Sequence, residues 1–341
     1  MDPVSQGALG AAAAQVVAAP EHRRVAAVLG ALSGMAPDLD VLIRSSTDPL
    51  LFLEYHRQFT HSFAFLPLGG LLCALIAFPF VRGRLPFASL FGLCLAGYAT
   101  HGLLDACTSY GTQLAWPFST LRVAWNVVPV VDPLFTLLLL AAIVAAAVRR
   151  SRRLAVVALV WALAYPGLGA LQRDRARAVT AGVAAARGHD AVLVHAKPAF
   201  GNIVLWKTYY RHGGRVWVDA VRLGLEPRLY QGESIAALDG MRDLPWLEAG
   251  TTQARDLERF RWFSDGFLGL DPDDPGRVID VRYSMVPDRI EALWGIELSA
   301  DALDGAHARF FTEREPSAEE REALVAMVLG HPRPAAPQES P

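Results

Sequence analysis

Charge is scarce in the first half of this sequence. The 341 residues are 52% hydrophobic and only 19% charged, whereas a soluble protein usually carries about 25% charged residues. Residues 1–171 contain 11 Arg, no Lys and 8 acidic residues, and residues 172–341 contain 21 basic and 26 acidic residues. The chain therefore consists of an apolar half followed by a half of ordinary soluble composition.

Other absences narrow the class of protein. The formal net charge of -2 excludes a basic nucleic-acid-binding protein, so no nucleic-acid partner is expected. The cysteines are few and odd in number (Cys73, Cys94 and Cys107), which argues against a disulfide framework. No basic segment precedes the first apolar run, so we expect no cleavable signal peptide.

The apolar half contains stretches of membrane-spanning length. A span needs about 17–25 mostly apolar residues because the hydrocarbon layer is ~30 Å thick. Four stretches qualify, namely 63–81, 87–104, 129–148 and 154–171. Two weaker stretches, 4–19 and 25–36, are read as short spans, a re-entrant pair or helices packed on the others. We predict an α-helical, multi-pass membrane domain over residues 1–171.

Arginine-rich loops predict the orientation of this domain. Residues 21–24, 82–84 and 149–153 are basic and fall on one side if both weaker stretches cross. Cytoplasmic loops concentrate Lys and Arg. We therefore expect these loops in the cytoplasm and the C-terminal domain outside it, which in a Gram-negative cell means the periplasm.

The second half predicts a soluble α+β domain over residues 172–331. Helices are expected at 172–187, 251–263 and 316–330, and strands at 191–196, 202–211, 214–223 and 278–286. Gly213-Gly214 predicts a hairpin turn, Lys197-Pro198 a strand break, and Asp280, Arg282 and Tyr283 a solvated strand face. The Pro-rich end, 332–341, is expected to be a disordered tail. The pattern identifies no protein partner for this domain.

Three short polar clusters interrupt the apolar half, and all lie on one predicted side. They are Asp38 and Asp40, then His56, Arg57 and His61, then His101 and Asp105. On a helix, His101 and Asp105 are four residues apart and share one face. Imidazole and carboxylate together suit Zn²⁺, with Mn²⁺ or Fe²⁺ as alternatives. The clusters predict a metal site that holds one ion, or two ions sharing a bridge.

Each cluster alone has a structural explanation. An Asp-x-Asp pair is commonly a solvated turn or a helix cap. Two histidines five residues apart fit a polar belt at headgroup level, and a His-x-x-x-Asp helix often holds a buried His–Asp hydrogen bond. Their concentration in a charge-poor half favours the metal site, because charged residues beside lipid spans are costly and commonly functional.

Four segments together resemble the YdjM-like family. They are MDPVSQG at 1–7, GMAPDLD at 34–40, HRQFTHS at 56–62 and HGLLDACTSYGTQLAWPFS at 101–119. The family is described as LexA-regulated, membrane-bound, metal-dependent hydrolases of bacterial inner membranes. The resemblance covers residues 1–171 and implies that the metal is held by Asp38, Asp40, His56, His61, His101 and Asp105. Many members carry His where this chain has Gln6, so either the ion has one ligand fewer or Gln6 orients a water.

These residues suggest a hydrolase that uses a metal-activated water. Asp38 or Asp105 would take the proton, and His61 or Arg57 would stabilise the developing charge. A site near the membrane surface favours an amphiphilic substrate, and we expect a phospholipid or a lipid-linked phosphoester.

Two further residues are candidates at the edge of this site. Arg122, with Arg57, is a nearby cation able to hold a phosphate. Asp132 is either a helix cap or a carboxylate that supports a ligand. The alternative function is non-enzymatic, with the His/Asp site serving metal or proton transport or a scaffold. Transport sites lie near the bilayer midplane, so clusters at one surface favour the hydrolase.

Overall fold

The computed structural model of the chain describes residues 1–190, 193–303 and 305–332. The chain divides into two compact units. The helical unit comprises Met1–Ile43, Tyr55–Leu171 and Phe200–Asn202, and the sheet unit comprises Arg44–Glu54, Gln172–Ala199 and Ile203–Pro341. The predicted fold class, a helical membrane domain followed by a soluble α+β domain, is confirmed.

Helices account for most of the first 186 residues. In chain order they are α1 (Pro3–Val17), α2 (Arg23–Met35), α3 (Leu51–Tyr55), α4 (Leu66–Val81), α5 (Phe87–Ala106), α6 (Pro133–Val148) and α7 (Arg152–Ala186). Two short 3₁₀ segments, Ala36–Leu42 and Phe59–His61, lie between them and carry polar residues of the predicted clusters.

Four helical stretches of the described chain are long and apolar enough to cross a membrane. They are Pro20–Leu42, Phe63–Val81, Phe87–Ala106 and Arg152–Ala186. The number of long apolar helices equals the number of predicted spans, but one predicted span is not among them. The predicted span 129–148 is a helix of only 16 residues, because Asp132 caps it by accepting a hydrogen bond from the Phe135 amide. The segment predicted as a short run at 25–36 instead belongs to the longer stretch that starts at Pro20.

Helix α1 lies inside the helical unit. It is rich in Ala and Gly, most of its residues are buried, and it packs on α2, α5 and α6. A Cβ added at Gly30 would lie 2.3 Å from the carbonyl oxygen of Gly10, so α1 and α2 meet backbone to backbone. Small residues permit this close approach between apolar helices.

The sheet unit contains two four-stranded antiparallel sheets. The first has the order β1 (His195–Pro198), β2 (Leu205–His212), β3 (Arg215–Leu223), β4 (Pro227–Ala236). The second has the order β5 (Leu268–Leu270), β6 (Arg277–Asp280), β7 (Trp294–Glu297), β8 (Arg309–Thr312). Helices α8 (Gly240–Asp243), α9 (Thr252–Phe263) and α10 (Ala318–Leu329) complete the unit.

Several local predictions for this unit are confirmed. Gly213 and Gly214 form the turn between β2 and β3 with φ of 58° and 72°, in the left-handed region that glycine adopts most easily. Helices α9 and α10 lie where they were expected, and α7 continues well past residue 171. Ser317 and Glu320 form a capping box at the start of α10, which explains the sharp helix start there.

Other local predictions are wrong. Lys197 and Pro198 belong to β1 instead of ending it, because each pairs with a residue of β2. Residues 191 and 192 of that predicted strand lie outside the described residues. The strand predicted at 278–286 ends at Asp280, and the polar run there is no solvated face, since Asp280 and Arg282 are buried and ion-paired. Of the predicted tail 332–341, residues 333–341 lie outside the described residues.

Candidate metal centre

Helix α5 supplies the first two residues of the site. His101 and Asp105 are four residues apart near the end of α5, and both are fully buried in the helical unit. Their Nε2 and Oδ2 atoms lie 3.6 Å apart, so they share one helix face as the spacing predicts. The site is completed by His61 from the segment Phe59–His61 and by Asp38 from the segment Ala36–Leu42.

Four donor atoms of these residues converge on one point. The Nε2 atoms of His61 and His101 are 3.0 Å apart. Asp105 Oδ2 lies 3.2 Å from His61 Nε2, and Asp38 Oδ1 lies 3.3 Å from His101 Nε2 and 3.5 Å from His61 Nε2. Three of the side chains have no exposure to solvent, whereas that of Asp38 is 22% exposed, so Asp38 forms the open side of the group.

These separations fit a small divalent ion. Zinc binds imidazole nitrogen and carboxylate oxygen at about 2.0–2.1 Å, so neighbouring ligand atoms of a tetrahedral site lie about 3.4 Å apart. The separations found here run from 3.0 to 3.6 Å. Two imidazoles with two carboxylates are also a donor set that Zn²⁺, Mn²⁺ and Fe²⁺ accept.

The Nδ1 atom of each histidine, which points away from the site, also contacts the protein. His101 Nδ1 lies 2.5 Å from the carbonyl oxygen of Gly34, which can only accept, so Nδ1 carries the proton and Nε2 is left as a donor of its lone pair. His61 Nδ1 lies 2.9 Å from Thr60 Oγ1 and 3.2 Å from Asp40 Oδ2. A carbonyl or carboxylate behind the ring is the usual support for a metal-binding histidine.

Asp40 and His56 form a second group with Asp38. Asp40 Oδ1 lies 2.7 Å from His56 Nδ1. Its Oδ2 accepts hydrogen bonds from the Arg57 amide at 3.0 Å and from Thr60 Oγ1 at 2.8 Å. Both oxygens of Asp40 therefore serve its neighbours, and Asp38 is the residue shared by the two groups.

Two cations and an amide contact the carboxylate of Asp105. Its Oδ1 accepts a hydrogen bond from Gln6 Nε2 at 2.8 Å and forms an ion pair with the α-amino group of Met1. Arg57 Nε lies 2.9 Å from Oδ2, and Arg57 Nη1 donates to Thr108 Oγ1 at 2.9 Å. The structure thus places Gln6 behind Asp105, on the oxygen that faces away from the histidines.

Some polar atoms at the site have no hydrogen-bond partner among the described residues. They are Gln6 Oε1, Asp105 Oδ2 and Arg57 Nε, all buried, and the last two form an ion pair at 2.9 Å without hydrogen-bond geometry. An unpartnered buried oxygen is costly unless an ion or water satisfies it. Asp105 Oδ2, the oxygen that faces both histidines, is ion-paired with Arg57 Nε at 2.9 Å but accepts no hydrogen bond from the described residues.

The electrostatics of the site also favour a cation. Burial alone lowers the pKa of His61, but hydrogen bonds to Asp105, Asp38 and Asp40 outweigh it and raise that pKa to about 10. The surrounding carboxylates therefore stabilise positive charge at this position.

A glycine allows the two histidine segments to meet. A Cβ added at Gly102 would lie 2.3 Å from the carbonyl oxygen of His61. Helix α5 can approach the 59–61 segment this closely only because residue 102 has no side chain. The Gly that follows His101 in the sequence therefore contributes directly to the geometry of the site.

Arg122 and Asp132, the other predicted residues, lie outside the four-residue group. Arg122 Nη2 donates to the carbonyl oxygen of Tyr110. The guanidinium groups of Arg57 and Arg122 lie 4.9 and 5.3 Å from the centre of the Tyr110 ring. Asp132 caps α6 and accepts a hydrogen bond from Tyr165 Oη at 2.7 Å, so it supports the helix pair α6–α7.

Sequence reasoning missed the supporting residues. Thr60 and Gly34 lie inside the motifs HRQFTHS and GMAPDLD, but nothing in their residue types marks them as partners of histidines. A third His/Asp group, Asp48, Asp256 and His307, lies in the sheet unit and was not predicted. The guanidinium of Arg259 contacts both of its carboxylates at 2.9–3.0 Å, so this group is an ion-pair network.

A buried His/Asp group beside helices of membrane-spanning length defines a membrane protein with a candidate metal centre. The chain belongs to the YdjM inner membrane protein family, whose match covers residues 1–176. It is also similar to the "Uncharacterized protein YfhP" of Bacillus subtilis (strain 168), with 30% identity over 119 residues. That match covers 35% of this chain and 36% of the relative, about a third of its length. No solved structure matches the chain.

Proposed function

We propose that this protein is a membrane-bound, metal-dependent hydrolase that acts on a phospholipid or a lipid-linked phosphoester. The observation that carries the proposal is the convergence of His61, His101, Asp38 and Asp105 with ion-like separations and supported imidazoles. A Zn²⁺ ion, or Mn²⁺ or Fe²⁺, bound there would lower the pKa of a water toward ~7 and polarise a phosphoryl oxygen.

The protein residues have distinct parts in this proposal. His61, His101 and Asp105 are fully buried and would hold the ion, as three protein ligands do in catalytic zinc sites. Asp38 is the exposed member of the group and accepts the proton of the attacking water. Because Asp38 also belongs to the group with Asp40 and His56, the same residue is the natural bridge if two ions bind.

The arginines near Tyr110 support a phosphoester over an acyl ester. Arg57 and Arg122 both place their guanidinium groups at the Tyr110 ring, beside the segment that follows Asp105. Two guanidinium groups stabilise the charge of a phosphate through paired N–H donors. An amphiphilic substrate follows from the position of the site next to helices of membrane-spanning length.

The membrane orientation is also part of the proposal. The basic loops lie in the cytoplasm, and the metal centre and sheet unit face the periplasm of an inner membrane. The contrast between arginine-rich and arginine-poor connections supports this arrangement.

Metal analysis of the purified, detergent-solubilised protein tests the site. We expect the wild type to bind Zn²⁺ and the variant His101→Ala/Asp105→Ala to bind far less. His22→Ala is the matched control, since His22 lies on the short segment Pro20–His22 and in none of the His/Asp groups of the described chain. Equal metal content in the wild type and the double variant would refute the metal centre.

Phosphoester cleavage tests the chemistry. The metal-loaded protein is incubated with phosphatidylglycerol vesicles and with a soluble chromogenic phosphodiester. We expect phosphate-ester products that disappear after chelation and in Asp38→Asn. Bound metal without cleavage of either substrate would favour the non-enzymatic alternative, in which the site serves transport or a scaffold.

A further inference from the structure

The segment Arg44–Glu54 has an unusual position in the chain. It belongs to the sheet unit, whereas the residues on both sides of it, up to Ile43 and from Tyr55, belong to the helical unit. Asp40 precedes it by a link of three residues, 41–43, and His56 follows it after Tyr55 alone. The segment 44–54 thus connects, along the chain, two residues at the metal centre, Asp40 and His56.

The residues on either side of the segment 44–54 contact each other at the metal centre. Asp40 Oδ1 lies 2.7 Å from His56 Nδ1, and Asp40 Oδ2 accepts a hydrogen bond from the Arg57 amide. Asp40 in turn contacts Nδ1 of His61 at 3.2 Å. The same few residues therefore close the loop and orient a proposed metal ligand.

The body of the segment is held within the sheet unit by one arginine of α9. Arg259 binds Asp48 through both terminal nitrogens, with Nη1–Oδ1 and Nη2–Oδ2 distances of 2.9 Å, and its Nε donates to Glu54. Asp256, one turn earlier on α9, accepts from Arg259 Nη1 at 3.0 Å. A guanidinium with this many charge-assisted bonds fixes geometry far better than an ammonium group can.

Other contacts make the attachment specific. Asp48 also accepts a hydrogen bond from the Leu50 amide at 3.0 Å, so its carboxylate is fixed on the segment. Leu50 and Leu53 are almost fully buried, and Phe52 meets Phe310 edge to face with ring centres 5.0 Å apart. The hydrogen bonds of Arg259 raise its pKa further, against the effect of burial, so it remains charged.

We propose that Arg259 is a positioning residue for the metal centre and that the sheet unit acts on the site through the segment 44–54. Arg259 holds Asp48 and Glu54, and the short links to Asp40 and His56 transmit this constraint to His61. The expected effect on metal binding rests on the proposed function, whereas the expected effect on amide exchange over residues 44–62 does not.

Hydrogen exchange and metal binding test the inference on the full-length protein. In metal-free protein, Arg259→Ala should accelerate amide exchange over residues 44–54 and also over residues 55–62. The Co²⁺-loaded variant should bind the ion roughly tenfold more weakly, as removal of outer support does at other sites, with an altered visible absorption spectrum. Arg259→Lys should recover part of both effects, because it keeps the charge but lacks the fork.

Two further variants sharpen the result. Arg261→Ala is the control, since Arg261 lies on the same helix and pairs with the exposed Glu258; it should leave exchange and Co²⁺ binding unchanged. Asp48→Asn weakens the same ion pair from the other partner and should cause the same changes in exchange and Co²⁺ binding. It replaces Arg259→Ala in the test if Arg259→Ala does not fold.

The outcomes separate this inference from the proposed function. Exchange that rises over 44–54 but not over 55–62, or that stays unchanged over both, would overturn the inference. Faster exchange over both with an unchanged Co²⁺ spectrum and affinity would also overturn it. A wild type that binds no metal would refute the proposed function, and the exchange over 55–62 would then decide the inference by itself.

Discussion

The Nε2 atoms of His61 and His101 face each other at 3.0 Å, and each ring is held on its other side by the protein. Two imidazole nitrogens this close are favourable only when a proton or a cation lies between them. Because His101 Nδ1 contacts a carbonyl oxygen and His61 Nδ1 contacts Asp40, the rings cannot rotate without losing these contacts. The pair is therefore preorganised for a shared cation.

Asp40 tests the importance of this support. We expect Asp40→Asn to weaken metal binding roughly tenfold to hundredfold, the usual effect of removing a carboxylate behind a ligand histidine, without reducing the number of ions bound. Competition with a chromophoric chelator measures the affinity. Asp132→Asn is the control, because Asp132 caps α6 and an asparagine can still cap a helix. Equal affinities in the two variants would contradict the supporting role of Asp40.

Gly102 tests the close approach of α5 to His61. Gly102→Ala places a methyl group 2.3 Å from the His61 carbonyl oxygen, so the segment 59–61 must move. We expect loss of most bound metal and a destabilisation of at least about 1–3 kcal/mol, the usual cost of overpacking. Metal analysis and thermal unfolding in detergent measure the two effects.

Gly92→Ala is the matched control on the same helix. Nothing lies within 4 Å of a Cβ added at Gly92, and alanine is the better helix former there. It should keep the metal and the stability of the wild type. If Gly102→Ala keeps its metal as well, the close approach is not what shapes the site.

The stability of the sheet unit should depend on pH because of the buried amine of Lys207. Burial lowers the pKa of its amine to about 7, and the amine donates hydrogen bonds to Ser284 Oγ and to the Arg289 carbonyl oxygen. Between pH 7 and the unfolded value near 10.5, the unfolded chain binds more protons than the folded chain. Stability should therefore rise with pH across this window, by an amount on the order of a few kcal/mol.

Comparison with Lys207→Met isolates this contribution. Unfolding of both full-length proteins is followed from pH 7 to pH 9.5, and the difference between them is the measured quantity. The wild type should gain stability relative to the variant as pH increases. Parallel curves over this range would show that Lys207 keeps its ordinary pKa in the folded protein.

Reporter fusions test the proposed orientation. Alkaline phosphatase fused after residue 180 should be active, and a green fluorescent reporter at the same position should be dark if exported through the Sec pathway. A fusion after Gly83, in a basic loop, should give the opposite pattern. Active phosphatase at Gly83 together with inactive phosphatase at residue 180 would invert the orientation and place the metal centre on the cytoplasmic side.

Much of the architecture can be predicted from the order of residues. Apolar run lengths and the change in charge density at residue 171 are local quantities, and they correctly indicate three of the four long apolar helices and the α+β domain that follows. The limits of these elements depend on single contacts. Asp132 shortens one predicted span by capping α6, and pairing with β2 draws Lys197 and Pro198 into β1.

The site divides in the same way. The spacing of His101 and Asp105 places both on one face of α5 because helix periodicity is a property of the backbone, so this pair can be predicted from the order of residues alone. The packing of distant segments brings His61 and Asp38 to this pair and places Asp40 and His56 in a neighbouring group. It also decided that Asp48, on the segment between Asp40 and His56, pairs with Arg259. All of these contacts link residues distant in the sequence, and those at the metal centre also depend on close packing at Gly102 and Gly34 that no local pattern encodes.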